Sequence, residues 1–218
     1  MSERLLPYSY IVIEGNIGAG KTSLAEILSR KFNTHLVLES FAENTFLPQF
    51  YEHPERYAFP LEMSFLAERY QQIRQEQELA REAGNILIGD YIFEKSLLFA
   101  QVTLKGAELE LFNRFYSLIN SSLHRPDLIV YLHKTTSKLL QNISKRGRSY
   151  EQQISADYLD NISKTYLNHL YNTKNQRIVI IDSDEIDFVN DPNDLKKIIE
   201  LISRPLENML HHVDFIKS

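Results

Sequence analysis

An apolar run, Tyr10–Glu14, leads directly into Gly15-Asn16-Ile17-Gly18-Ala19-Gly20-Lys21-Thr22, and a helix-like segment, Lys21–Phe32, follows. The eight residues match G-x-x-x-x-G-K-[ST] without deviation, and the strand before and helix after are the context that motif requires. Glycines let the backbone take turns closed to other residues, so successive N–H groups can face one concavity. The helix that opens there adds its own amino-terminal donors and dipole. On this reading the backbone of Gly15, Asn16, Ile17, Gly18, Ala19 and Gly20 cradles phosphates, Lys21 sets a charge on the β/γ-phosphates, and the Thr22 hydroxyl ligates Mg²⁺. A turn that merely caps a helix is the alternative, and the flanking elements argue against it. The loop predicts ATP or GTP as ligand; the N-K-x-D tetrad that GTPases use for guanine is absent, which argues against a GTPase switch. The acceptor of the phosphate is left open.

Four more apolar runs, Leu36–Glu39, Ile86–Asp90, Leu128–Leu132 and Ile178–Asp182, are continuous rather than alternating. That pattern predicts parallel strands buried on both faces. Helix-like segments separate them: a long one over Leu61–Ala83, started by Pro60 and stopped by Gly84, then about Glu94–Leu104, Ala107–Leu123, Ser137–Lys145, Ala156–Tyr171 and Asn193–Leu210. The alternation implies βαβ units in one three-layer α/β domain over 1–218, a phosphate-loop fold with a five-stranded parallel sheet and helices on both faces. The adjacent His211 and His212 read as a solvated tail detail, since useful metal-ligand pairs on a helix sit at i, i+4.

The net charge of −5 argues against a long non-specific nucleic-acid surface. No cysteine is present, so disulfides, thiolate metal sites and cysteine nucleophiles are excluded. Met1–Pro7 is short and polar, with no apolar signal core, and no run reaches a membrane-spanning length. A cytoplasmic protein without membrane contact is expected.

Glu39 ends the second strand, where ligands of open α/β sheets bind. A carboxylate there can take a proton from an attacking hydroxyl; it can equally close a strand or partner a helix terminus. Glu62 and Arg69 are two turns apart and share a helix face with Phe65, Leu66 and Ile73. They either border an apolar slot or form a solvated salt-bridge stripe. Lys145-Arg146-Gly147-Arg148 is a basic run of the kind usually found on a solvated surface, but beside a phosphate loop it suits charge neutralisation on a transferring phosphoryl group.

The segment Tyr51-Glu52-His53-Pro54-Glu55-Arg56-Tyr57-Ala58-Phe59-Pro60-Leu61-Glu62-Met63-Ser64-Phe65-Leu66-Ala67-Glu68-Arg69, with Glu14–Thr22, resembles the deoxyribonucleoside kinase family. The likeness resumes at Lys145–Gln152 and Tyr158-Leu159 and ends near Ile180–Asp182 with the loop to Asp187-Phe188. The resemblance implies ATP-dependent phosphorylation of a deoxynucleoside 5′-hydroxyl, with Mg²⁺. It implies that Glu39 is the general base, that Tyr51 and Glu151 grip the sugar 3′-hydroxyl, and that Glu62 and Arg69 meet the base. Arg146 and Arg148 become arginines of a lid at about 145–153, Asp187-Phe188 joins the nucleotide site, and the protein is a homodimer packed through helices. The apolar content of Ala107–Leu123 is compatible with such an interface and equally with core packing.

Two positions depart from the family pattern. Where members carry Glu-Arg-Ser or Asp-Arg-Ser, this chain has Asp90-Tyr91-Ile92. Asp90 can hold the metal, whereas Tyr91 cannot supply the cation that approaches the substrate 5′-end; Lys95 is the candidate replacement. Glu62 stands where glutamine is usual. An ionised carboxylate only accepts hydrogen bonds, which favours amino-bearing bases, purines such as deoxyadenosine among them, over thymine. The rival readings are a nucleoside-monophosphate kinase, thymidylate kinase-like, and a nucleotide-binding regulatory module without a small acceptor.

Overall fold

The computed structural model describes residues 6–39 and 44–215; the amino-terminal residues of the polar Met1–Pro7 stretch lie outside them. The strands are β1 Tyr10–Gly15, β2 His35–Val37, β3 Leu87–Gly89, β4 Leu128–His133, β5 Ile178–Asp182 and β6 Leu210–Asp214. They form one sheet in the order β2-β3-β1-β4-β5-β6, every neighbour pair parallel. The sheet therefore has six strands rather than the predicted five. The predicted helix to Leu210 stops at Ile202 because Pro205 follows, and the backbone before a proline is pushed out of the helical region. Beyond it β6 pairs with β5 and carries His211 and His212; His212 Nε2 lies 2.9 Å from Asp182 Oδ2.

The continuous apolar runs are buried because helices cover both faces. Successive side chains of one strand point to opposite sides. Val12, Ile129, Tyr131 and Ile180 join one core cluster, whereas Ile11, Ile13, Val130 and Ile181 join the other. The first cluster is completed by α3 (Pro54–Ala83), α4 (Lys95–Thr103) and α5 (Gly106–Asn120). The second is completed by α1 (Lys21–Phe32), α6 (Thr136–Arg146) and α8 (Pro192–Ile202). The helix α7 (Ala156–Asn172) serves both, with Leu159 in one cluster and Tyr166 in the other. Full burial of each such Leu or Ile is worth about 1.5–3 kcal/mol.

Two further helices differ from expectation. Pro54, not Pro60, occupies the first turn of α3, where its missing N–H costs nothing; Pro60 lies inside the helix. An additional short helix, α2, spans Phe46–Glu52; Pro48 within it masks the signal, since proline reads as a helix breaker. Gly84 ends α3 in the left-handed region at φ 64°, as glycine caps commonly do. The carboxyl ends of β1, β2 and β3 thus converge beside the start of α1 and the middle of α3.

Candidate active site

The loop between β1 and α1 is held by its own backbone geometry and by α7. Gly18 and Gly20 have φ of 82° and 97°, values that side-chain-bearing residues rarely adopt. A Cβ on Gly20 would come 3.2 Å from the Phe188 ring, and one on Gly18 would come 2.9 Å from the Leu139 carbonyl oxygen. Asn16 is 3% exposed; its Nδ2 donates to the Leu159 carbonyl at 2.8 Å and to Ser163 Oγ at 2.7 Å, while its Oδ1 accepts from the Ile17 amide. Lys21 Nζ folds back to the Asn16 carbonyl at 3.0 Å. Burial first, and Lys95 second, push the Lys21 ammonium down to about 8, against the pull of Glu14, Glu39 and Asp90.

Asp90 joins this loop to the end of β2. Its Oδ2 accepts from the Thr22 hydroxyl at 2.5 Å, and its Oδ1 accepts from the Glu39 amide at 2.7 Å. Burial raises the Asp90 carboxyl, opposed by the Thr22 bond. The Glu39 side chain then enters a cluster of buried charge. Arg69 Nε and Nη2 donate to Oε1 at 2.9 and 2.6 Å, and Lys95 Nζ donates to Oε2 at 2.5 Å. Burial alone would raise the Glu39 carboxyl, but Lys95 and Arg69 outweigh it and hold the group well below the usual carboxylate range. Arg69 also donates to Ser96 Oγ at 2.9 Å and lies 4.6 Å over the Phe65 ring.

These groups line one cleft that runs from Ile17, Gly18, Lys21 and Thr22 past Glu39 and Asp90 to Tyr51, Glu62 and Arg69. Lys21, Arg69, Lys95, Arg146 and Arg148 give it five cations against the carboxyls of Glu39, Glu62, Asp90 and Glu151, so the wall is cationic in a chain whose net charge is −5. Leu47, Phe50, Leu61, Phe65, Phe99 and Tyr158 supply apolar wall.

Glu62 and Arg69 are 2% and 3% exposed, which excludes the solvated-stripe alternative. Of their apolar neighbours Phe65 lines the cleft, while Leu66 and Ile73 turn into the core. Glu62 Oε1 accepts from Thr103 Oγ1 at 2.8 Å, and Oε2 has no hydrogen-bond partner among the described residues. Burial is the main cause that pushes this carboxyl up to about 7, against Arg69, Thr103 and Lys95.

The basic run is engaged with an acid. Arg146 donates to Glu151 Oε2 at 3.1 and 2.5 Å, and Arg148 Nη1 donates to Oε1 at 3.2 Å. Glu151 is buried while both arginine side chains stay about one-third exposed. Tyr51 stacks on Tyr150 at 6.3 Å, beside this group. Asp187 and Phe188 stand apart: Phe188 packs behind Gly20 in the core, and Asp187 is exposed and accepts from Asn190. Neither lines the cleft.

Tyr91 turns away from the cleft. Its hydroxyl donates to Gln72 Oε1 at 2.6 Å, and Gln72 Nε2 donates to the Leu38 carbonyl at 2.8 Å. Sequence reasoning passed over Ser96, Thr103 and Glu14. Glu14 is fully buried and accepts from the amides of Gly15 and Ile92 and from the Tyr166 hydroxyl. Its only signal was a carboxylate inside an apolar strand.

The parallel α/β architecture is shared with a solved structure. The structure of deoxyadenosine kinase from M. mycoides with bound dATP superposes with a TM-score of 0.76 at 23% identity, covering 89% of this chain and 100% of that one. Deoxyguanosine kinase of Bacillus subtilis (strain 168) is 35% identical over 193 residues, 87% of this chain and 93% of the relative. Deoxyadenosine kinase of Dictyostelium discoideum is 30% identical over 204 residues, 92% and 81% of the two chains. The family model for deoxynucleoside kinase matches residues 11–207. The chain belongs to the deoxynucleoside kinase family and is an enzyme that phosphorylates nucleosides.

Proposed function

We propose that the protein transfers the γ-phosphoryl group of ATP to the 5′-hydroxyl of a deoxynucleoside, with the whole of 1–218 as one kinase domain. The observation that carries this reading is Asp90, which bonds the Thr22 hydroxyl with one oxygen and the Glu39 amide with the other. A phosphate donor on the Gly15–Thr22 loop and an acceptor at Glu39 are thereby neighbours. The oxygen pair Thr22 and Asp90 fits a hard cation that takes its remaining ligands from phosphate and water, and these two residues would hold Mg²⁺. The ion supplies charge neutralisation on the β- and γ-phosphates.

Glu39, kept ionised by Lys95 and Arg69, accepts the hydrogen bond of the 5′-hydroxyl and aligns its oxygen with the γ-phosphorus. As the O–P bond forms and the bond to ADP breaks, the proton passes to Glu39. Lys21 meets the β/γ-phosphates. Arg146 and Arg148 act as lid arginines, exchanging Glu151 for phosphate oxygens, and the freed Glu151 joins Tyr51 at the sugar 3′-hydroxyl. Asp187 and Phe188 support the nucleotide site from behind the loop.

Glu62 with its unpartnered oxygen favours amino-bearing bases, purines such as deoxyadenosine among them. The exposed Leu111, Phe115 and Leu118 of α5 support a homodimer packed through helices, and the absence of cysteine fits a cytoplasmic protein. Among the described residues no helix is long and apolar enough to cross a membrane.

ADP release in a coupled assay tests the reading. Stimulation by a deoxynucleoside and not by its 5′-monophosphate is the expected result; stimulation by the monophosphate alone would make the enzyme a monophosphate kinase.

A further inference from the structure

Glu62 ends in two oxygens with unequal surroundings. Oε1 receives the Thr103 hydroxyl at 2.8 Å, and Oε2, on a residue 2% exposed in the wall of the cleft, has no hydrogen-bond partner among the described residues. The Thr103 hydroxyl carries one proton and lies within reach of two acceptors, Glu62 Oε1 and the Phe99 carbonyl at 3.0 Å. That carbonyl is in position to receive the helical amide of Thr103, which leaves the hydroxyl for the carboxylate, the stronger acceptor. Thr103 therefore marks Oε1 as the accepting end, and Oε2 is the atom whose proton changes what the cleft offers a base.

We infer that Thr103 is a specificity-determining positioning residue: by fixing Oε1 it makes Glu62 a reader that selects deoxyguanosine when ionised and deoxyadenosine or deoxycytidine when neutral. The inference rests on the proposed deoxynucleoside kinase reading. The chemistry follows from the base edges. An ionised carboxylate only accepts, and guanine presents two adjacent donors, N1–H and the exocyclic amine. A neutral carboxyl donates from one oxygen and accepts on the other, which matches an exocyclic amine beside a bare ring nitrogen, as in adenine and cytosine.

The groups around Glu62 set where the exchange falls. Burial opposes ionisation, and so does Glu39; Arg69 on the same helix, Lys95 and Thr103 on α4 favour it. Tyr51 of α2 and Tyr158 of α7 also face the carboxyl, and both stay protonated because burial raises them. The balance lies near neutrality, at about 7.

Competition between deoxyguanosine and deoxyadenosine in one reaction with ATP and Mg²⁺ tests the inference, because effects of pH on the donor, the metal and Glu39 cancel in the ratio. From about pH 6 to about pH 8 the deoxyguanosine-to-deoxyadenosine ratio of kcat/KM should rise about 100-fold, tenfold per pH unit for a single proton read in opposite senses. Thr103→Val removes a donor to the ionised form, so its profile should move to higher pH, and Thr103→Ser should restore it. Glu62→Gln should flatten it. A flat wild-type ratio with both substrates phosphorylated would overturn the inference, as would acceptance of only one of them at every pH, or a Thr103→Val profile that coincides with wild type. Failure to phosphorylate any deoxynucleoside is a different result and removes the kinase reading beneath it.

Discussion

The Lys95 ammonium lies 2.5 Å from Oε2 of Glu39, on the opposite side of the carboxylate from Arg69. Both cations are almost wholly buried, with side-chain exposures of 6% and 4%. Lys95 begins α4, one turn beyond Asp90-Tyr91-Ile92, where the resemblance of the sequence implies an arginine in place of Tyr91. The turn after β3 therefore brings a cation to Glu39.

Lys95→Met should lower kcat by about 10²-fold, the scale of losing one electrostatic stabiliser in a preorganised site. Stability should fall by about 1–3 kcal/mol, because a buried acceptor loses a donor while Arg69 still partly compensates. Lys95→Glu should be worse on both counts, since it sets two carboxylates together. Steady-state rates with thermal unfolding check this, and wild-type turnover in Lys95→Glu would remove the lysine from the mechanism.

Glu39→Gln should keep ATP affinity and lower kcat by about 10²–10⁴-fold, the contribution of a positioned base. The acid limb carries a second sign. The folded-state pKa of Glu39 is depressed by Lys95 and Arg69 against burial, so its ionisation stabilises the fold above the ordinary carboxylate pKa and that stability is lost as pH falls. Glu39→Gln should then unfold with a shallower dependence on pH below about pH 4.5. Denaturant titrations of the two proteins across the acid range compare the slopes, and equal slopes would contradict the linkage.

Lys21 works in the other direction. Its folded-state pKa of about 8 lies below that of an ordinary lysine, so the free enzyme loses this charge as pH rises through about 8. The KM for ATP should climb above that point while kcat at saturation changes little, because bound phosphate restores the proton. Lys21→Met should show a high KM with no such rise. Initial rates from about pH 7 to about pH 9.5 are the measurement, and a flat KM in the wild-type enzyme would show that another group sets phosphate affinity.

What the sequence made legible follows from how local each signal is. The glycine loop and the helix after it were readable because the constraint lies in eight consecutive residues; Lys21–Phe32 has the observed bounds. Glu39 was readable only as a strand end, since its role depends on Arg69 and Lys95, which are 30 and 56 positions away. Thr103 carried no signal at all: a threonine closing a helix resembles any other until Glu62 is seen beside it. The sixth strand was hidden by the apolar period of α8, which runs on in sequence until Pro205 breaks it. Glu151 reads from the resemblance as a sugar contact and the arginines as phosphate contacts, a reading that carries no signal of the ion pairs they make with each other.

Tyr91 gives the sharpest contrast between residue type and placement. The resemblance of the sequence implies an arginine at this position, and by sequence alone Tyr91→Arg would look like a repair. The side chain, however, is fully buried in the cluster under α3, and its hydroxyl ends on Gln72, which in turn holds the Leu38 carbonyl next to Glu39. A guanidinium there would be a buried charge, and the carboxylates that act on this position, Glu39 and Asp90, are already engaged by Arg69, Lys95 and Thr22, so it would cost several kcal/mol. Tyr91→Arg should therefore lower the melting temperature strongly and leave kcat at or below wild type. Tyr91→Phe keeps the ring and loses the bond to Gln72, and should cost about 1 kcal/mol, with kcat reduced only through looser placement of Glu39. Calorimetry and steady-state kinetics on the two variants decide it: a stable Tyr91→Arg protein with raised kcat would mean that the side chain reaches the cleft after all and that Lys95 is not its replacement.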